Sequence, residues 1–112
     1  MNKICTSLEQ SKKLIELGID VETADMYWWT YSKKYYRAAM EDGDFNKESD
    51  IPAWSLAALL SVLPTSTIDS SDDHYFRMYC QQKFSEWHDN PVDACYEMVV
   101  WLKENGYIKK GE

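Results

Sequence analysis

Apolar and polar residues alternate most regularly from Tyr75 to Cys80. Phe76, Met78 and Cys80 fall on one side, and Tyr75, Arg77 and Tyr79 on the other. Period-two alternation of this kind predicts a half-buried strand. Lys83 to Trp87 follows as a weaker partner strand. A helical period takes over after Asn90: Val92, Cys95, Met98, Val99 and Leu102 form one stripe, widened by Tyr96 and Trp101. Asn90 is a good N-cap, Pro91 suits the first helical position, and Asp93 complements the macrodipole. Gly106 marks the end of that helix.

The first helix is signposted by Thr6-Ser7-Leu8-Glu9, a capping box, with Ser7 and Gln10 offering the same motif one residue later. Leu8, Leu14, Ile15 and Leu17 give it a partial stripe, Lys12 and Lys13 fall outside, and Gly18 fits its C-terminal cap. Asp20 to Asp25 reads as a turn. A middle helix is expected from Ser55 to Leu63, closed by Pro64. It is apolar nearly all round and is expected at the centre of the core. Thr65 to Asp73 reads as a polar linker.

Six of the eleven residues from Met26 to Tyr36 are aromatic. Met26–Tyr31 and Tyr35–Met40 read as two strands, with Ser32-Lys33-Lys34 between them. A helix over Tyr31–Met40 competes, because Lys, Arg, Ala and Met favour helix. The expected fold is therefore α+β: a small antiparallel sheet of about four strands packed on three helices, in the order α-β-β-α-β-β-α, as a single domain of 112 residues. No internal repeat is visible.

Strand parity divides the rings. Met26 and Trp28 share a core side, as do Tyr36 in its segment and Met78 in its own. Tyr27, Trp29, Tyr31, Tyr35, Arg37, Tyr75, Arg77 and Tyr79 fall on the other side. Tyr, Trp and Arg are the residues enriched at binding hot spots. These eight are the candidate partner surface.

Charge narrows the partner. The chain carries 19 acids against 12 bases, a net −7, which disfavours general binding to a phosphate backbone. Glu41 to Asp50 holds five acids and one base, and Asp69 to Asp73 three acids; such runs are usually solvated loops. No apolar run is long enough to span a bilayer and no export signal follows Met1, so a cytoplasmic location is expected. Cys5, Cys80 and Cys95 show no metal or disulfide spacing and read as reduced thiols.

Other chemistry finds little support. Cys80, His88, Asp89 and Cys95, with His74, are the available metal ligands, but no two fall at the short spacing a site needs. Cys95 with His88 lacks a motif that would place thiol and base together. Asp93 and Glu97 share a helix face at i, i+4, where a solvated surface is the usual outcome. Glycine-rich phosphate loops are absent. No catalytic residue, metal or cofactor is expected.

Four stretches stand out together: Glu9-Gln10-Ser11-Lys12-Lys13-Leu14, Thr23-Ala24-Asp25-Met26, Ile51-Pro52-Ala53-Trp54-Ser55-Leu56 through Leu63-Pro64, and Asn90-Pro91-Val92-Asp93-Ala94 through Trp101-Leu102. In these the chain resembles a group of small uncharacterised proteins of gut anaerobic bacteria and their phages and mobile elements. Tyr35 to Ser49 and Thr65 to Trp87 find no counterpart. The resemblance implies a phage or mobile-element setting and carries over no functional residue.

The leading expectation is a small non-catalytic module that binds a protein, a second copy of itself included, through the aromatic and arginine side of its sheet. Single-stranded nucleic acid stacked on the same rings is an alternative, with Lys33, Lys34, Arg37 and Arg77 as its basic rim. An acidic inhibitor that mimics DNA is another, and a small enzyme a third.

Overall fold

The computed structural model describes residues 3–32, 35–40, 51–71 and 75–108, with backbone alone for 29–32 and 35–40. It is an α+β fold. Helix α1 (Leu8–Glu16) is followed by a 3-10 turn, strands β1 (Met26–Ser32), β2 (Tyr35–Met40) and β3 (Ile51–Ala53), and helix α2 (Leu56–Val62). Strands β4 (Thr67–Ser70), β5 (Phe76–Cys80) and β6 (Lys83–Phe84) lead into helix α3 (Pro91–Glu104).

The strands form two antiparallel sheets rather than one of four strands: β2-β1-β3 and β4-β5-β6. The difference comes with two short edge strands, Ile51–Ala53 just ahead of the expected middle helix and Thr67–Ser70 within the stretch read as a polar linker. Ile51–Ala53 pairs with β1, Met26 facing Ala53 and Trp28 facing Ile51. Pro52 is tolerated there because of its side of the strand. Trp54 gives its C=O to the Thr6 N–H at 2.9 Å and its N–H to Thr6 Oγ1 at 3.1 Å, both away from β1. Alternation puts the Pro52 nitrogen on that same outer side, where no ladder bond is lost. Residues 35–40 form a strand, not a helix, and Met26–Met40 through Thr30–Tyr36 pair in continuous register.

Caps stop and start the helices much as the residues dictate, with one shift. The capping box of α1 is Ser7 with Gln10, not Thr6 with Glu9. Thr6 is fully buried instead, its hydroxyl 2.8 Å from Ser11 Oγ. Gly18 (φ 88°) and Gly106 (φ 82°) close α1 and α3 in left-handed geometry, with Ile19 N–H bonding Leu14 C=O and Tyr107 N–H bonding Leu102 C=O.

The main core lies between α3, α2, β5 and Trp54. Val92, Cys95, Met98, Val99 and Leu102 of α3 pack with Met78, Cys80, Leu59, Leu14 and Trp54. The centre is thus α3 and Trp54 rather than α2. Ala58 and Leu59 are the buried residues of α2, while Ala57, Leu60 and Ser61 are exposed. A helix this short turns only one face to α3. A second cluster joins Cys5, Met26 and Ala53, with Trp28 against it and its indole N–H donating to Thr6 C=O at 3.0 Å. Among the described residues no buried side-chain polar atom lacks a partner. No helix among them is long and apolar enough to cross a membrane.

Candidate functional site

The outer face of the β4-β5-β6 sheet presents three residues of the predicted surface, Tyr75, Arg77 and Tyr79. Phe76, Met78 and Cys80 turn inward onto α3, so Tyr75, Arg77 and Tyr79 must turn outward. Gln81 and Gln82 join β5 to β6 in a two-residue turn with positive φ at both (51° and 64°). This geometry matches the right-handed twist of the strands, and glutamine adopts it against its own preference. The tight turn fixes register: Cys80 faces Lys83 and Tyr79 faces Phe84. Phe84 therefore lands on the outer face, its ring 4.6 Å from that of Tyr79.

Arg77 organises this face. Its guanidinium lies 4.1 Å from the Phe84 ring centre and 4.6 Å from that of Trp87, so the two rings hold it between them. Its Nε donates to Asp69 Oδ2, directly across the β4–β5 pair, at 3.2 Å. Each cation–π contact at such an exposed site contributes about 0.5–1 kcal/mol. Despite this, Tyr75 (46%), Phe84 (46%) and Trp87 (44%) remain largely open to solvent. Large exposed rings beside an arginine make this face a candidate for a partner surface.

The other predicted residues divide differently. Tyr27 is buried, 5% exposed, and drops out of the surface. It sits on a central strand, between Ala39 and Pro52 in register, where neighbours on both sides limit access. The side chains of Trp29, Tyr31, Tyr35 and Arg37, and of Tyr36, lie outside the described residues; their strands belong to the other sheet. The eight residues therefore do not share a face of one sheet. Phe84 and Trp87 were not singled out by parity, because Lys83–Trp87 alternates poorly and β6 is only two residues long. The two-residue spacing between Cys80 and Lys83 was the available signal.

A groove of about 500 Å³ runs along α3 on the far side of the same sheet, lined by Gln10, Lys83, His88, Asp93, Tyr96, Glu97, Val100, Trp101 and Glu104. Its carboxylates are not a solvated pair. Asp93 accepts from Lys3 Nζ, Gln10 Nε2 (2.9 Å) and Asn90 Nδ2 (2.8 Å). Burial alone would raise its pKa, but these bonds and the Lys3 charge hold the carboxyl below the usual range. Glu97 lies 2.7 Å from His88 Nε2 and accepts the Glu86 N–H on both oxygens. Both acids thus fasten α3, one to α1 and the other to the segment after β6.

The thiols are inaccessible. Cys80 and Cys95 are buried, and burial raises both pKa values, that of Cys95 to about 12. Burial also raises Cys5, against the opposing charge of Lys3. Among the described residues no group of three or more His, Cys, Asp or Glu side chains is placed to hold a metal ion. His74, Asp72, Asp73 and the acidic stretch Glu41 to Asp50 lie outside the described residues, and Asp69 belongs to β4 rather than to a solvated loop.

Compared with protein-family models, curated proteins and solved structures, the chain matches none of them.

Proposed function

We propose that the chain is a small non-catalytic module that binds another protein through the outer face of the β4-β5-β6 sheet. The observation that carries this reading is the pair of exposed rings, Phe84 and Trp87, held against Arg77, with exposed Tyr75 on the same face. Such a face gives a partner large, rigid anchors at low entropic cost. The described cations beside it favour a protein over a nucleic acid. Arg77 is bonded to Asp69, and Lys83 lies over the Trp101 ring, 5.6 Å from its centre, on the groove side. Neither is left for a phosphate, and the net charge of −7 adds repulsion.

A non-catalytic role fits the groove, where Asp93 and Glu97 are already committed to holding α3, and the thiols, whose raised pKa values disfavour thiolate. Three unpaired cysteines suit a reducing, cytoplasmic setting. The resemblance in the α1, α2 and α3 segments supports a phage or mobile-element context.

The test is affinity capture from the source organism with the parent chain and with Trp87→Ala, Phe84→Ala and Arg77→Ala. All three positions face solvent in part, so circular dichroism should be unchanged. A specific partner lost from each variant supports the reading. A partner retained by all three overturns it, as does salt-sensitive binding of short oligonucleotides in place of protein.

A further inference from the structure

The same sheet has an open edge. Thr67 of β4 faces Tyr79, Ile68 faces Met78, Asp69 faces Arg77 and Ser70 faces Phe76. The Ser71 N–H donates to the Tyr75 C=O at 2.9 Å, which makes that pair the hydrogen-bonded kind. Alternation then assigns the β5-directed bonds to Thr67 and Asp69, and turns the N–H and C=O groups of Ile68 and Ser70 away from the sheet. The other side of β5 agrees in parity, since Phe76 exchanges both bonds with His88, at 2.7 and 2.8 Å. Thr67, Ile68 and Ser70 are exposed, and among the described residues no hydrogen bond outside the sheet engages Ile68 or Ser70.

Proteins usually guard such an edge with lysine, proline, a bulge or a covering segment. Around β3 the guards are present: Pro52, and Thr6 bonded to Trp54 just beyond it. On the opposite edge of its own sheet, β6 is two residues long and carries Lys83. The sequence of β4, Thr-Ile-Asp-Ser, has neither lysine nor proline. Among the described residues its one protection is shortness.

Charge indicates what would add to it. Asp69 lies on the outer face of β4, and while its Oδ2 accepts from Arg77, its Oδ1 has no hydrogen-bond partner among the described residues. A strand added about 4.8 Å beyond β4 places its outward side chains beside Asp69 and one strand from Tyr75 and Tyr79. Lysine or arginine there meets both a carboxylate and ring faces. Its inward side chains meet Ile68. A second copy is less suited: each chain carries −7, and the register that pairs Ile68 with Ser70 of its twin sets Asp69 against Asp69.

We propose that the outer edge of β4 accepts an extended, basic segment of the partner protein as an added strand. This rests on the interaction-face reading above and specifies how that face is approached. The probe is an acetylated and amidated peptide of alternating lysine and valine, titrated into the labelled protein and followed by backbone amide and tryptophan indole resonances. The expected result is a shift of the Ile68 and Ser70 amides. Binding should weaken at least about tenfold, or about 1.4 kcal/mol, with each of three changes. These are Ser70→Pro, which removes an outward N–H, a glutamate–valine peptide, and a peptide N-methylated at every residue, so that neither edge can donate.

The N-methylated peptide needs no variant and keeps the test decisive should Ser70→Pro misfold. Equal affinity for the N-methylated or the acidic peptide overturns the proposal. So do edge-amide shifts that grow with protein concentration in the absence of peptide, which would make a second copy the occupant. The two readings fail separately. Natural-partner capture lost in Trp87→Ala but intact in Ser70→Pro keeps the face and removes strand addition, while capture intact in both removes the face as well.

Discussion

Replacing Asp93 with alanine should destabilise the fold strongly, because the carboxylate joins three separate parts of the chain. It accepts hydrogen bonds from Lys3, from Gln10 of α1 and from Asn90, the N-cap of α3. The Lys3 and Asp93 side chains are only 22% and 25% exposed, so solvent screens the pair little. A hydrogen bond to a charged group contributes about 1.5–3 kcal/mol, and three around one carboxylate are not additive. Alanine would also strand the Lys3 ammonium and remove a charge that favours the helix N-terminus. The combined loss is about 2–4 kcal/mol, a large fraction of the roughly 5–15 kcal/mol that holds a domain together. Asp93→Asn, which keeps shape and loses charge, should cost about half as much.

The assay is urea unfolding followed by tryptophan fluorescence, the chain having five tryptophans. The pH dependence supplies a second check. The Asp93 pKa is lower in the folded chain than in the unfolded one. Its contribution is therefore full above the unfolded value of about 3.9 and fades as pH falls through the folded value. The gap between parent and Asp93→Ala should be widest near neutrality and narrow in acid. A variant within about 0.5 kcal/mol of the parent at neutral pH would refute the reasoning. It would release Asp93 from structural duty and reopen the groove as a site of chemistry.

Three further outcomes follow from the packing. Thr6→Val should cost about 1–3 kcal/mol in the same assay, while Thr6→Ser costs much less, because the buried hydroxyl accepts the Trp54 N–H and bonds Ser11. Gln81→Asn combined with Gln82→Gly should stabilise by about 0.5–1 kcal/mol, read as a higher denaturation midpoint, since both positions have positive φ. Cys80 and Cys95 should resist a thiol-specific reagent in the native state at neutral pH and react only at the rate at which the chain opens, because both are buried and neutral.

Legibility in the sequence depended on how local each signal was. The cap residues Asn90-Pro91-Asp93 and Gly18 act within one turn, so the ends of α3 and α1 could be read directly. Residues 76–80 alternate because one side of β5 lies on α3. The edge strands β3 and β4 left no such trace. An edge strand this short needs no repeated pattern; Ile51–Ala53 is held by a strand distant in sequence, and Thr67–Ser70 by its neighbour β5, though its own residues do not alternate. Parity gave the right side for Met26, Trp28, Arg77 and Tyr79 but the wrong exposure for Tyr27, since parity says nothing about what covers a face. Half of the candidate site was readable from β5 alone. Phe84 and Trp87 needed the register that the Gln81-Gln82 turn imposes.

The central claim is that the outer face of the β4-β5-β6 sheet meets a protein. Photo-crosslinking in the source organism tests it most directly, with a photoreactive residue at position 87 and, as a control, at the exposed position 104 across the molecule on the groove side. The account predicts one discrete protein adduct from position 87, lost on Arg77→Ala and absent from position 104. No adduct at 87, or the same adduct from both positions, would contradict it.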